Sequence, residues 1–157
     1  MLKFLLAAVL IVVDQASKLF VIKWLHQNES IPVIADIFHI TLVYNTGSAF
    51  GMFRDHNWIL TYISVFAIIF ILLLLVRRPG VKSEGYHRLW QTALVLILSG
   101  AAGNLIDRLK FGYVVDFLDF RIWPVFNFAD SLITCGVILL AFLFLRKDVF
   151  IENNNLN

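Results

Sequence analysis

Residues 58–76, WILTYISVFAIIFILLLLV, contain no charged side chain, and this run constrains the chain more than any other feature. A helix of this length spans a bilayer, where every backbone polar group must be satisfied within the segment. Trp58 and Tyr62 suit an interfacial belt at its start, and Arg77-Arg78-Pro79-Gly80 ends it sharply. Three further apolar runs follow the same logic. Residues 2–25 are interrupted only by Asp14, Gln15 and Lys18, so they form one span rather than a cleaved leader. Residues 89–106 end in the small-residue stretch Ser99-Gly100-Ala101-Ala102-Gly103, which lets a neighbouring helix approach closely. Residues 128–145 form the fourth span and end at Arg146-Lys147.

Composition agrees. Apolar residues make up 60% of the 157-residue chain and charged residues only 15%, with a mean hydropathy of +0.82. A soluble domain sits near ~45–50% apolar. The expected fold is therefore a single integral membrane domain, mainly α, with four transmembrane helices. Nucleic acid is excluded as a partner, because no basic stripe runs along any helix. Cys135 is the only cysteine, so no intrachain disulfide forms, and its apolar surroundings predict a buried thiol.

Four spans place both termini on one side. Lys3, Arg77, Arg78, Lys82, Arg88, Arg146 and Lys147 gather there, which makes that side cytoplasmic by the positive-inside rule. The outer side receives residues 27–57 and 107–127, both too apolar and aromatic for solvated loops. The first reads as short strands with a turn at Asn45-Thr46-Gly47. Ile37, His39, Thr41 and Val43 alternate with Phe38, Ile40, Leu42 and Tyr44, as in a small sheet lying on the outer leaflet. The polar tail, IENNNLN, is expected to fray.

Acids beside apolar spans need partners or a task, since a charge near the bilayer centre costs ~2.5–3.5 kcal/mol or more. Asp14 and Lys18 lie four apart and share one helix face, which suits an internal pair. Asp116 follows the β-prone Gly112-Tyr113-Val114-Val115, and Asp130 opens the fourth span with Asn127 three residues before it. Alone, Asp130 reads equally as a helix-starting acid favoured by the macrodipole, and Asp116 as a solvated loop acid. Together they supply the minimal apparatus for peptide hydrolysis: two carboxylates sharing a proton, one acting as base and one as acid. Other chemistries find less support. The histidines His26, His39, His56 and His87 are scattered with no zinc spacing, and no GxSxG motif is present. A proton relay or ion pathway would place acids near mid-span, where only Asp14 lies. A non-catalytic adaptor would use the acids only as helix caps.

Five ordered motifs then carry a resemblance. They stand as Asp14-Gln15-Ala16-Ser17-Lys18, Asn45-Thr46-Gly47-Ser48-Ala49-Phe50, Gly103-Asn104-Leu105-Ile106-Asp107-Arg108, Val114-Val115-Asp116-Phe117 and Phe126-Asn127-Phe128-Ala129-Asp130. In order and spacing the chain resembles the lipoprotein signal peptidases (signal peptidase II), bacterial membrane aspartyl peptidases. Ser17 stands where threonine is more usual in the family.

The resemblance implies that Asp116 and Asp130 are the catalytic dyad. It implies that Asn45, Asn104, Arg108, Asn127, Asp107, Asp14 and Lys18 shape the site or hold substrate, with Asp14 and Lys18 mainly structural. The implied substrate is a prolipoprotein whose cysteine bears a diacylglyceryl group, cut just before that cysteine. No cofactor is implied; the partners are substrate and membrane lipid, and the chain is expected to act as a monomer in the bacterial inner membrane. The connection from Phe111 to Pro124 is expected to act as a flap over the dyad.

Overall fold

The computed structural model describes residues 2–47, 56–77 and 83–146. Ser48, Ala49 and Phe50 of the second motif, the basic Arg78, Lys82 and Lys147, the helix stop at Pro79-Gly80 and the polar tail lie outside the described residues. Among the described residues, four helices are long and apolar enough to cross a membrane: α1 (Leu2–Trp24), α2 (Asn57–Val76), α3 (Glu84–Phe111) and α4 (Phe128–Leu145). Three strands complete the order, with β1 (Ser30–Ile34) and β2 (Phe38–Asn45) between α1 and α2, and β3 (Val114–Asp119) between α3 and α4.

Three of the helices begin and end within a residue or two of the apolar runs. The exception is α3, which is longer than the expected 89–106 at both ends. Its start is set by Ser83, whose side chain accepts a hydrogen bond from the Tyr86 amide. Its C-terminal extension takes in Asp107, Arg108 and Lys110, which the sequence places in an outer loop. The helix persists because Asp107 is paired inside the bundle, and it stops at Gly112, whose φ of 81° is left-handed. This longer helix is the hub of the bundle, contacting α1, α2, α4 and β3.

Close approach at the hub depends on glycine. A Cβ on Gly136 would stand 2.7 Å from the Ala93 carbonyl oxygen, and one on Gly100 would collide with the Ala129 carbonyl. With no side chain at either place, the α3 and α4 backbones come together. Cys135, beside Gly136, is exposed rather than buried.

The sheet is antiparallel in the order β1-β2-β3, so the strand nearest the dyad motif in sequence supplies its second edge. The β1–β2 reversal falls at residues 35–37, with Asp36 left-handed at φ 59° and the Ile37 amide donating to the Ile34 carbonyl at 3.1 Å. The expected turn at Asn45-Thr46-Gly47 stands at the end of β2. There Asn45 Oδ1 accepts the Gly47 amide at 2.9 Å, bending the chain out of the sheet. Strict alternation along β2 also fails. Thr41 and Leu42 are consecutive and both buried, because a bulge between Ile40 and Val43 puts one extra residue opposite β3. Leu42, Val115 and Phe117 pack on Val21 and Leu25 at the end of α1, tying the sheet to the bundle.

Candidate active site

A polar network runs through the interior where α1, α3, α4 and β3 meet. At its base, Lys18 is 2% exposed and Asp14 is fully buried. The Lys18 ammonium lies 2.9 Å from Asp14 Oδ2 and 2.9 Å from Asp107 Oδ2, and donates to Asn104 Oδ1 at 3.0 Å. These three contacts use its three donors. Each acid does further structural work. Asp14 Oδ1 accepts the Ala129 amide at 2.9 Å in the first turn of α4, and Asp107 Oδ2 accepts the Val115 amide at 3.1 Å in β3. One cation therefore fixes two carboxylates that in turn hold the elements carrying Asp116 and Asp130.

Above this base, two asparagines hold the two remaining acids. Asn127 Nδ2 donates to Asp116 Oδ1 at 2.7 Å and to Asn104 Oδ1 at 3.1 Å. Asn104 Nδ2 donates to Asp130 Oδ1 at 2.8 Å. Asn45 Nδ2 donates to Asp116 Oδ2 at 2.8 Å, so both oxygens of Asp116 have an amide donor. Asn127 is also the N-cap of α4. Its Oδ1 accepts the Asp130 amide at 2.9 Å, while Asp130 Oδ2 accepts the Asn127 amide at 3.2 Å, a reciprocal capping box. The cap that starts α4 therefore also fixes the Asp130 carboxylate against the cavity.

Electrostatics set the pair apart from ordinary surface acids. Burial pushes the Asp116 carboxyl up to about 7, and the Asp130 charge adds to the rise; the Asn45 and Asn127 hydrogen bonds and the Lys18 charge oppose it. Both acids line one cavity of about 800 Å³, along with Asn45, Asn104 and Arg108. Arg108 Nη1 reaches Ser64 Oγ on α2 at 3.4 Å, and its Nε is buried with no hydrogen-bond partner among the described residues. Most of the wall is apolar, supplied by residues 120, 122–126 and 133.

Two carboxylates on one largely apolar cavity narrow the possibilities, and comparison with known proteins decides among them. The family model described as Signal peptidase (SPase) II matches residues 6–146. The chain belongs to the signal peptidase II family. It is 44% identical over 137 residues to the lipoprotein signal peptidase of Halothermothrix orenii, covering 87% of this chain and 90% of that one. The lipoprotein signal peptidase of Moorella thermoacetica is 46% identical over 137 residues, covering 87% and 88%. Two solved structures described as a bacterial membrane enzyme also share the fold. One has a TM-score of 0.83 at 31% identity, covering 93% of this chain and 88% of that chain. The other has a TM-score of 0.79 at 32% identity, covering 92% of each.

All nine residues singled out in the sequence meet in this one region. Asn45 ends β2; Asn104, Asp107 and Arg108 follow one face of α3; Asp116 lies in β3; Asn127 and Asp130 open α4; Asp14 and Lys18 come from α1. Three contributors escaped the sequence reading. Gln15 Nε2 lies within 3.0 Å of Asp107 Oδ1, 3.1 Å of Asp14 Oδ2 and 3.2 Å of the Gly103 carbonyl. Its signal was its place inside the first motif. Ser64 gave none, being one hydroxyl in an apolar run. Asp119 gave a weak one, as a second acid three residues after Asp116. The expected Phe111–Pro124 flap is also redrawn: residues 114–119 are a hydrogen-bonded strand, so only residues 120–125 form a connection over the cavity.

Proposed function

We propose that this chain is an aspartyl endopeptidase that removes signal peptides from diacylglyceryl-modified prolipoproteins, cutting just before the lipidated cysteine, with Asp116 and Asp130 as its dyad. The observation that carries the assignment is the asparagine frame, which brings two carboxylates from separate elements, Asp116 buried and Asp130 half-buried, to face one cavity. Two close carboxylates cannot both ionise freely, so near neutral pH the pair keeps one proton. The ionised member takes a proton from water as it attacks the scissile carbonyl. The protonated member donates its proton to the developing oxyanion; as the intermediate collapses, the member that took the proton of water passes it to the leaving amine and the first acid recovers its own.

The surrounding residues act by position. Asn45, Asn104 and Asn127 orient the carboxylates, and Lys18 with Asp14 and Asp107 anchors the frame beneath them. Arg108 lines the cavity with an unused donor and is placed to bind a carbonyl oxygen of the substrate backbone. Both termini are cytoplasmic, the dyad lies at the outer membrane–water interface, and the sheet rests on the outer leaflet. A helical signal peptide then enters from the bilayer and leaves its lipid in the leaflet. The chain acts as a monomer, because one chain supplies the whole frame.

The test is a gel-shift assay on a diacylglyceryl-modified prolipoprotein with the parent, Asp116→Asn and Asp130→Asn, each checked for a thermal transition in detergent. The parent should cut and resist chelator, and both folded variants should be inactive. Parent-rate cutting by either folded variant removes that acid from the dyad. The expected resistance to chelator follows from the donor set: both Asp116 oxygens face amide N–H groups, which repel a cation.

A further inference from the structure

Beyond β3 the chain leaves the sheet and comes back at Phe126. The Phe126 amide donates to the Leu118 carbonyl at 3.1 Å, and the Phe126 carbonyl accepts the Phe117 and Leu118 amides at 2.9 and 2.7 Å. Residues 119–125 are thereby closed into a short strap tied at both ends. Asp119, buried at its root, organises it. Its Oδ1 accepts the Arg121 amide at 2.9 Å, and its Oδ2 accepts Arg121 Nη1 at 2.9 Å and Thr41 Oγ1 at 2.7 Å. An ionised carboxylate only accepts, so Thr41 must be the donor there. Ser30 then donates to Thr41 across 2.8 Å, and His39 Nδ1 to Ser30 across 3.0 Å. Arg121 has φ 64°, a conformation that residues other than glycine rarely adopt, and the double contact to Asp119 holds it there.

The strap's two aromatic ends are packed. Phe120 lies 4.8 Å from the Phe38 ring and 5.9 Å from Phe126. Its middle carries Ile122, 95% exposed, and Trp123, 59% exposed, and both line the cavity that holds Asp116 and Asp130. In the peptidase reading, the lipid-bearing residue immediately follows the scissile bond. Successive Cα atoms are only about 3.8 Å apart, so the lipid emerges inside this same cavity.

We propose that the strap reads the substrate's lipid: Ile122 and Trp123 contact the acyl chains, and Asp119 is a positioning residue acting through Arg121. The inference rests on the peptidase reading. The occupant is the substrate's acyl chains rather than the surrounding bilayer, because the two apolar side chains line the cavity continuously with the dyad. Burying one such side chain is worth roughly a tenfold gain in affinity or more.

The full-length protein in detergent would be assayed on prolipoproteins carrying short-chain and long-chain diacylglyceryl groups, at matched micellar mole fraction. For the parent, KM should fall roughly tenfold as the chains lengthen. In an Ile122→Ser/Trp123→Ser variant the KM for the long-chain substrate should rise to the short-chain value, with a much smaller change in kcat. Asp119→Asn should flatten the dependence in the same way. The thermal transition of the double variant in detergent checks that it folds. If the folded double variant keeps the parent's chain-length dependence, the strap does not read the lipid. An equal rise in KM on both substrates makes it a bilayer anchor and overturns the proposal. A parent that leaves both substrates uncut overturns the peptidase reading itself, and the strap's role with it.

Discussion

Asn127 and Asn104 touch, the Nδ2 of one 3.1 Å from the Oδ1 of the other, and each amide also holds one of the two acids. The contact joins the start of α4 to the middle of the polar network, so the two carboxylates cannot move independently. Asn127→Ala removes a charge-assisted donor to Asp116 and the cap of α4 together. Loss of the cap should cost ~1 kcal/mol of stability. Loss of the donor, worth ~1.5–3 kcal/mol to a charged partner, should lower kcat by roughly 10- to 100-fold. Asn104→Ala should lower kcat comparably while leaving the cap intact. Thermal transitions and single-turnover rates on a verified substrate separate the two effects.

The pH dependence follows from Asp116. Its carboxyl is raised to about 7 by burial and by Asp130, so the state with one shared proton declines as pH rises through that value. The alkaline limb of kcat/KM should therefore fall near pH 7. Stability has the same sign: the raised group contributes most below the unfolded carboxyl value of 3.8, and its contribution is lost as pH climbs toward about 7. Asn45→Ala removes a hydrogen bond that favours the ionised form, so the alkaline limb should move to higher pH. A limb that moves down, or stays fixed in a folded Asn45→Ala variant, contradicts this electrostatic account.

Much of the molecule was legible in the sequence because lipid imposes simple rules. An uncharged run such as 58–76 has no alternative to a helix, and acids kept beside such runs must be held together. What the chain did not disclose were matters of partner and facing. Asp107, Arg108 and Lys110 looked like loop residues because the cation that neutralises Asp107, Lys18, sits on α1, far away in sequence. The β-prone run before Asp116 was visible, but its partner was not, because β3 pairs with β2 across the whole of α2 and α3, a contact that local pattern does not encode. The bulge at Ile40–Val43 broke an alternation that the sequence alone presents as regular. Cys135 was misplaced because apolar neighbours look the same whether they face packed protein or an open cavity; it lines the one that holds Asp116 and Asp130.

Lys18 makes a sharp stability test. It is a single buried cation between two buried carboxylates, so Lys18→Met leaves both acids without a counter-charge. Breaking a buried pair in this way costs ~3–5 kcal/mol. The thermal transition should fall steeply, and activity with it, since Asp14 and Asp107 hold the amides of Ala129 and Val115. Lys18→Met combined with Asp107→Asn should recover part of the lost stability, because one uncompensated charge has been removed. If the double variant is no more stable than Lys18→Met alone, charge compensation is not what this lysine provides.

The α3–α4 contact offers a comparison between two glycines. In Gly136→Ala the new Cβ meets the Ala93 carbonyl at 2.7 Å and the Ile97 side chain at 2.6 Å. A helix backbone cannot yield as a side-chain tip can, so α4 must shift, at ~1–3 kcal/mol for overpacking. The same helix carries Asp130, so the shift should reach the dyad as a loss of kcat. In Gly85→Ala, near the start of α3, the Cβ meets only Ser83 Oγ at 3.7 Å. There the gain in helix propensity, up to about 0.5–1 kcal/mol, is unopposed. Thermal transitions should therefore move in opposite directions, down for Gly136→Ala and slightly up for Gly85→Ala. Equal behaviour of the two would mean that close helix approach at Gly136 is not what positions α4.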